Sequence, residues 1–571
     1  SPGGTYSFTQ AFTQGPNPLT SSGTAGDAFA SMLLGTPASG SITTDVGVSM
    51  QSFYFAGYFQ DEIKATDRLT ISAGLRYETE SPYTERHNRI VGFDSNLSSP
   101  AANAAFPNLR GGLVFASPSN RYVYDWYKKG FGPRLGLAYQ AAKHTVFRAG
   151  AGVFYAPLQI SNSAVGFSPS SGFSSSTPLT ASIDGGLTPF NSLANAFSSG
   201  LIPPSGNSLG ASTFLGQGIT VWDSHPNTPR SYQWNFDIQH QLPWDVLIDA
   251  AYVGNKGVFL AGNRQFDAMP SQYLPIGSAL LNQVPNPFYG KITTGTLAQP
   301  TVTLQSLLTP FPQFTSVDII NDTAGNSMYH AFQLKVEKRL SSGLSVLVSY
   351  SFEKIITDVP WAASGIGGNN GSGTFQNWYN LSAERALSAQ DVPNSLTISY
   401  NYALPFGKGK SIGSQWHGPV EWILGNWALN GITRVTSGSP LSFSTSVNNT
   451  HSLGGGSRPN TNGVNAVVSN PNIYQWFNTA TFTAPAAFTF GNVGRTTNVF
   501  SPGIVNFDAS IFKNMIFHER YTLQFRAEFF NLFNHENFNP PDTTLGDKNF
   551  GQISASNLLP RVGQLAMKLT F

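Results

Sequence analysis

The fold predicted by this sequence is all-β: an antiparallel transmembrane β-barrel of the outer-membrane type. Three observations predict it. Apolar and polar residues alternate with a period of two over runs of about a dozen residues. The runs come in pairs joined by short turns, and long loops join one pair to the next. The composition is poor in charge and rich in aromatics, at 11% and 13%.

Soluble globular proteins carry about 25% charged residues, so a charge-coated α/β enzyme or a coiled coil is a poor match for these 571 residues. The 43 Phe and 21 Tyr argue equally against a disordered chain. Mean hydropathy is only −0.13, because Ser, Thr, Asn and Gln stand where Lys and Glu would be. A formal net charge of +2 leaves no electrostatic footprint for nucleic acid. The chain has no Cys, which excludes a disulfide scaffold and thiolate metal sites. No apolar run approaches the roughly 18 residues that a membrane-spanning helix needs.

Leu69 to Glu80 shows the pattern most clearly. Leu69, Ile71, Ala73, Leu75 and Tyr77 share one face, while Thr70, Ser72, Gly74, Arg76, Glu78 and Glu80 share the other. Strands of soluble sandwiches more often stop after 5–6 residues, whereas a tilted crossing of a bilayer takes about 9–11. Length therefore favours the membrane. The preceding run, Phe53 to Lys64, pairs with it around Thr66-Asp67. Arg134 to Gln140 pairs with Thr145 to Tyr155, Ser231 to Leu242 with Val246 to Val253, and Tyr329 to Leu340 with Leu344 to Phe352. Leu396 to Leu404, Trp427 to Thr436, Ile504 to Lys513, Tyr521 to Phe530 and Val562 to Phe571 follow. With Thr5 to Phe12 as the first strand, the count is about 14, an even number as in bacterial single-chain barrels.

The long connections are Ser81 to Lys129, Ala156 to Pro229, Gly254 to Ser327, Glu353 to Ser395 and Ser437 to Gly503. Short turns at one end and long loops at the other are the usual asymmetry of outer-membrane barrels. Pro405 to Asn426 breaks the rule, being long where a short turn is due. Two helical patterns sit inside loops, Asp27 to Leu34 and Leu381 to Ser388. Tyr77, Tyr139, Tyr155, Tyr252, Tyr350, Tyr400 and Trp427 are expected near strand ends, where amphipathic rings favour the membrane–water boundary. The last run alternates up to a terminal Phe571, resembling the signal by which outer-membrane barrels are assembled.

Several segments resemble one family. Tyr54-Phe55-Ala56-Gly57-Tyr58-Phe59-Gln60-Asp61-Glu62, with Gly74-Leu75-Arg76-Tyr77-Glu78 after it, is similar to a barrel hairpin of TonB-dependent transporters. So is Arg526-Ala527-Glu528-Phe529-Phe530-Asn531-Leu532-Phe533-Asn534-His535. Tyr252-Val253-Gly254-Asn255-Lys256-Gly257, Asp391-Val392-Pro393-Asn394-Ser395 and Leu404-Pro405-Phe406-Gly407 resemble the Oar-like branch. The resemblance implies an outer-membrane location, contact with lipid, recognition of Phe571 by the barrel-assembly machinery, and uptake of a bulky solute. It also implies coupling to TonB through an N-terminal plug. Residues 1–571 read as barrel, with no plug, TonB box or signal peptide recognisable before Thr5. Since a full transporter barrel has about 22 strands, an incomplete barrel is expected, with Thr5 to Phe12 and Val562 to Phe571 as its two edges.

Enzyme motifs fail. Gly409-Lys410-Ser411 ends like a phosphate-binding loop, but Leu404 stands where the first Gly is required, so a Gly-rich turn is the better reading. Gly365 to Gly373 lacks dinucleotide-binding spacing, and His535-Glu536 lacks a second His four residues on. The nine His residues have no metal-ligand spacing, and no GxSxG elbow exists. No enzyme activity, cofactor or metal is expected.

Arg76, Glu78, Arg134, Arg148, Asp237, Asp249, Lys335, Glu337, Arg339, Arg526, Glu528 and Lys568 are expected on the face turned from lipid. They form either a substrate path or, the favoured reading, charge pairs that keep a polar lumen solvated. Trp126, Tyr127, Trp361, Trp378 and Tyr379 lie in loops, where they either stack on a ligand ring or close apolar clusters. These residues single out no binding site.

Overall fold

The computed structural model describes residues 3–14, 25–156, 172–184, 186–358, 375–450, 457–517 and 521–571. Its main feature is one 15-stranded sheet, antiparallel along a continuous path of thirteen strands. In chain order these are β1 (Tyr54–Thr66), β2 (Leu69–Glu80), β3 (Phe131–Ala142), β4 (Thr145–Tyr155), β5 (Arg230–Leu242), β6 (Val246–Gln265) and β7 (Ser316–Ser341). They continue as β8 (Leu344–Thr357), β9 (Asn394–Ala403), β10 (Trp427–Thr436), β11 (Ile504–Phe517), β12 (Tyr521–Phe530) and β13 (Val562–Thr570). Each pairs with its neighbour in sequence, so the wall is an up-and-down meander. The shortest strand has 9 residues and the longest 26, long enough to cross a bilayer. No helix among the described residues is long and apolar enough to do so.

Register carries the faces from strand to strand. Leu75 lies opposite Phe59 and Pro133, and Tyr77 opposite Gly57 and Phe131. Following the ladder, Leu137 leads to Ala149, Phe236, Tyr252, Phe332 and Phe352. Phe59, Leu75, Leu135, Phe236 and Phe352 are exposed on this face. A band of exposed apolar side chains that runs across the wall and faces water would be a severe solubility defect. Facing lipid, it is required. The odd residues of β2 therefore point outward and the even ones inward, as their alternation predicts.

Short turns close the hairpins at one end. Ser342 and Gly343 both take positive φ, 51° and 81°, which matches the twist of a two-residue hairpin. A Cβ on Gly343 would lie 2.8 Å from the Ala403 carbonyl oxygen, so the position suits glycine. At the other end the long loops build a cap, and there the buried apolar core sits. Phe93, Leu113, Ile219, Phe311 and Val317 form one cluster, and Phe443, Phe477, Phe482 and Val499 another.

Several expectations need correction. Thr5 to Phe12 is not a wall strand. Thr5–Ser7 pairs with Ser39–Asp45, which in turn pairs with Ser174–Pro178 from the β4–β5 loop. Beyond Ser7 the chain turns, Gln14 N–H donating to Gln10 O at 2.8 Å, so the apparent alternation never becomes a ladder. The path accordingly has thirteen strands rather than 14, with edges β1 and β13; among the described residues no ladder joins the two. Secondly, β6 and β7 continue well past Val253 and before Tyr329, into the cap, as a long ribbon with register shifts after Val258. Tyr252 and Tyr350 therefore lie inside strands rather than at their ends, whereas Tyr77, Tyr139, Tyr155, Tyr400 and Trp427 are near ends. Finally, Leu381 to Ser388 is only a 3-10 turn, Leu381–Glu384, followed by the short strand Ala386–Leu387. The other helical pattern does form α1 (Ala28–Leu33). The Asp27 side chain caps it by accepting from Phe29 N–H at 2.7 Å.

Candidate functional site

The inner face of the wall is polar because every second residue along its strands is. The register places eleven of the twelve charges expected there on this face, in groups; the twelfth, Arg339, lies just past the last β6–β7 pair, where the β7–β8 register shifts. Arg76 Nε lies 3.0 Å from Glu78 Oε2, and its Nη2 donates to the Tyr54 hydroxyl at 2.9 Å. Tyr54 in turn donates to Glu78. Lys335 Nζ is 2.9 Å from Glu337, with Arg339 3.9 Å from the same carboxylate. Gln564 Nε2 donates to Glu528 at 2.5 Å, and Arg526 Nε donates to Gln524 at 2.5 Å. Arg134 lies over the Phe154 ring at 4.6 Å. Most of these pairs link residues i and i+2 on one strand or facing residues on neighbours, as alternation and register dictate.

Beside a hollow of about 540 Å³ lined by Gln60, Ser72, Arg134, Phe154 and Asn235, two further hollows open on this face among the described residues. One of about 760 Å³ spans β7 to β12, with Glu337, Leu347, Asn401, Asn430, Ser510 and Glu528 among its lining. A hollow shared by six successive strands means the polar face is concave there. The other, about 390 Å³, lies where β1, β2 and β4 meet the cap, between Tyr54, Glu78, Glu80, Tyr124, Tyr127 and Tyr155. Burial raises the Tyr124 phenol well above its ordinary range, so it stays neutral and accepts from Tyr83 N–H at 3.0 Å.

The loop aromatics close clusters within the cap. Trp126 Nε1 donates to Thr79 Oγ1 at 2.7 Å, and its ring meets Tyr122 edge-on at 6.1 Å. Tyr127 accepts from Arg230 at 3.0 Å. Trp378 packs on Phe375 at 4.3 Å, and the Tyr379 hydroxyl donates to Ala268 O at 2.7 Å. Trp361 and Gly365 to Gly373 lie outside the described residues.

Sequence reasoning missed a buried ionic network in the cap. Arg458 pairs with the Glu384 carboxylate, with side chains only 5% and 2% exposed. Arg495 Nε donates to Glu384 O at 2.9 Å, while its Nη2 donates to Thr357 O at 2.8 Å, at the top of β8. Burial lowers Arg495 to about 10, and the nearby Glu384 charge opposes that shift. The bonded partners are 74 to 138 positions apart, so no local pattern joins them. Asp267, which is also buried, accepts from Phe311 N–H at 2.7 Å, and desolvation holds its carboxyl well above the usual range. Among the described residues, no group of three or more His, Asp or Glu is placed to hold a metal ion.

A one-sheet wall with an outward apolar band, an inward polar row and a folded loop cap defines a transmembrane β-barrel protein. The chain belongs to the outer membrane beta barrel domain family, whose pattern matches residues 1–564, and its location is the cell outer membrane. No curated protein matches it. Among solved structures it is similar to the outer membrane transporter YddB from Escherichia coli, with a TM-score of 0.41 and 10% identity over 92% of this chain and 54% of that one. The ferric yersiniabactin uptake receptor FyuA from Yersinia pestis gives 0.38 and 9%, over 94% and 48%. FpvA of P. aeruginosa bound to heterologous pyoverdines gives 0.38 and 10%, over 94% and 40%. The chain thus spans roughly half the length of these proteins, or less.

Proposed function

We propose that this chain is the barrel region of an Oar-like TonB-dependent transporter that takes up a bulky solute across the outer membrane. The observation that carries the reading is the continuous, concave polar face inside a lipid-facing wall, roofed by a folded cap. The hairpin segments quoted above, from Tyr54 to Glu78 and from Arg526 to His535, support the family assignment at the residue level. In this reading the i, i+2 charge pairs solvate the lumen, the hollows are stations on the solute's path, and TonB acts through a plug. The role is transport rather than catalysis.

A surface adhesin built of soluble sandwiches would have split the strands into separate packed sheets, and the single 15-stranded sheet does not fit that alternative. A passive porin would share the wall, so energy coupling discriminates. Solute accumulation by cells making the full gene product should fall to background when TonB is deleted. Undiminished entry without TonB would replace this reading with the porin.

A further inference from the structure

We propose that the connection between β9 and β10 is a lipid anchor that seats on anionic phospholipid headgroups of the periplasmic leaflet. The segment is longer than its hairpin needs. Leu404 N–H already donates to Trp427 O at 2.8 Å, closing β9 onto β10, and Pro405 to Asn426 lie beyond that closure. It stands at the short-turn end, which faces the periplasm in outer-membrane barrels.

Its position relative to the wall follows from register. Trp427 and Lys513 are ladder partners and share parity with Leu429 and Ile511, so both side chains leave the wall on the lipid-facing side. The helix α2 (Pro419–Leu424) is tied to those two side chains. Trp427 Nε1 donates to Ile423 O at 2.8 Å, while Lys513 Nζ donates to Gly425 O and reaches Glu421 O at 3.4 Å. The helix therefore lies outside the wall, level with the strand ends, continuous with the apolar band.

Its surface suits that place. Val420, Trp422, Ile423 and Leu424 are 47% to 65% exposed. Beside them the segment carries Lys408, Lys410 and His417 against a single acid, Glu421. That acid is turned inward, accepting from Lys408 N–H at 2.8 Å and Asn426 Nδ2 at 2.9 Å. Apolar side chains with Trp at one level and cations beside them match the bilayer boundary, where rings and aliphatics enter the acyl region and Lys meets headgroup phosphate. The Gly407-Lys408-Gly409-Lys410-Ser411 turn, which fails as a nucleotide loop, is the cationic half of this device.

The chain has no Cys, so single cysteines report without background. Val420→Cys and, separately, Ile423→Cys carry a polarity-sensitive fluorophore on the full chain refolded into vesicles; insertion is checked by heat-modifiable gel mobility. Ser414→Cys is the aqueous control and Leu429→Cys the lipid control. In phosphatidylcholine vesicles with about a third phosphatidylglycerol, a shallow spin-labelled lipid should quench positions 420 and 423 at least threefold more than position 414. Lys408→Gln with Lys410→Gln should halve that quenching, as should omission of phosphatidylglycerol. Equal quenching in both vesicle types overturns the headgroup assignment. Iodide access at 420 and 423 equal to that at 414 overturns the anchor and leaves the helix face to a soluble partner.

Discussion

Removing the Glu384 carboxylate tests whether the cap is a folded unit. Glu384→Ala removes the carboxylate that pairs with the buried Arg458 guanidinium, and with it the field that opposes the desolvation of Arg495. Breaking a buried ion pair from one side costs about 3–5 kcal/mol. That corresponds to about two to three and a half orders of magnitude in the local opening constant. Glu384→Gln should cost less, because its amide oxygen can still accept from Gln376 N–H, which lies 3.1 Å from Oε1. The loss should centre on the cap, because among the described residues the network meets the wall at the end of β8, where Arg495 donates to the Thr357 carbonyl and hydroxyl and Ala386–Leu387 pairs with Ile356–Thr357. Hydrogen exchange on the refolded protein reads it. Peptides covering 375–392 and 457–500 should lose protection by that factor, while Leu69–Glu80 keeps its own. Less than a threefold change in the cap, or equal loss in the wall, would refute the network's role.

Three further outcomes follow from the same structure. The folded pKa of Asp267 lies above its unfolded value, so its stabilisation is full below about pH 4 and is lost as pH rises through the raised value. Asp267→Asn lacks that titration: the Phe311 amide should exchange more slowly in the variant than in the parent at pH 8, with the two converging at acid pH; a difference independent of pH would contradict this. Leu75→Arg should lower stability in bilayers by about 2–4 kcal/mol and Ser72→Arg far less, as measured by urea unfolding; the reverse order would mean the faces are exchanged. Phe571 stands fully exposed just past the last ladder pair, and its deletion should reduce assembly into the outer membrane more than refolding in detergent. Equal membrane levels would remove it as an assembly signal.

What was legible in the sequence was what is local. Alternation fixes which face a residue takes wherever a ladder forms, so Arg76, Asp237, Lys335 and Arg526 all fall inward as read. Alternation alone does not say whether a ladder forms. Thr5 to Phe12 alternates yet pairs over three residues in the cap, because Gln10 onward turns back on itself. Nor does it mark where a strand leaves the membrane, since β6 and β7 keep pairing after their apolar period lapses near Gly254. The cap was hidden for a different reason. Its contacts join loops far apart in the chain, as when Gln313 Nε2 donates to Gly111 O across 202 positions, and no periodicity records such a pairing.

The central claim is that one face of the wall meets lipid and the other a polar lumen. Single-cysteine spin labels from Leu69 to Glu80, in the protein refolded into bilayers, test it most directly. Oxygen, which partitions into lipid, should broaden the odd-numbered labels, and a water-soluble nickel chelate the even-numbered ones, with a period of two through Arg76. The opposite phase, or access to both agents without a period, would contradict the account.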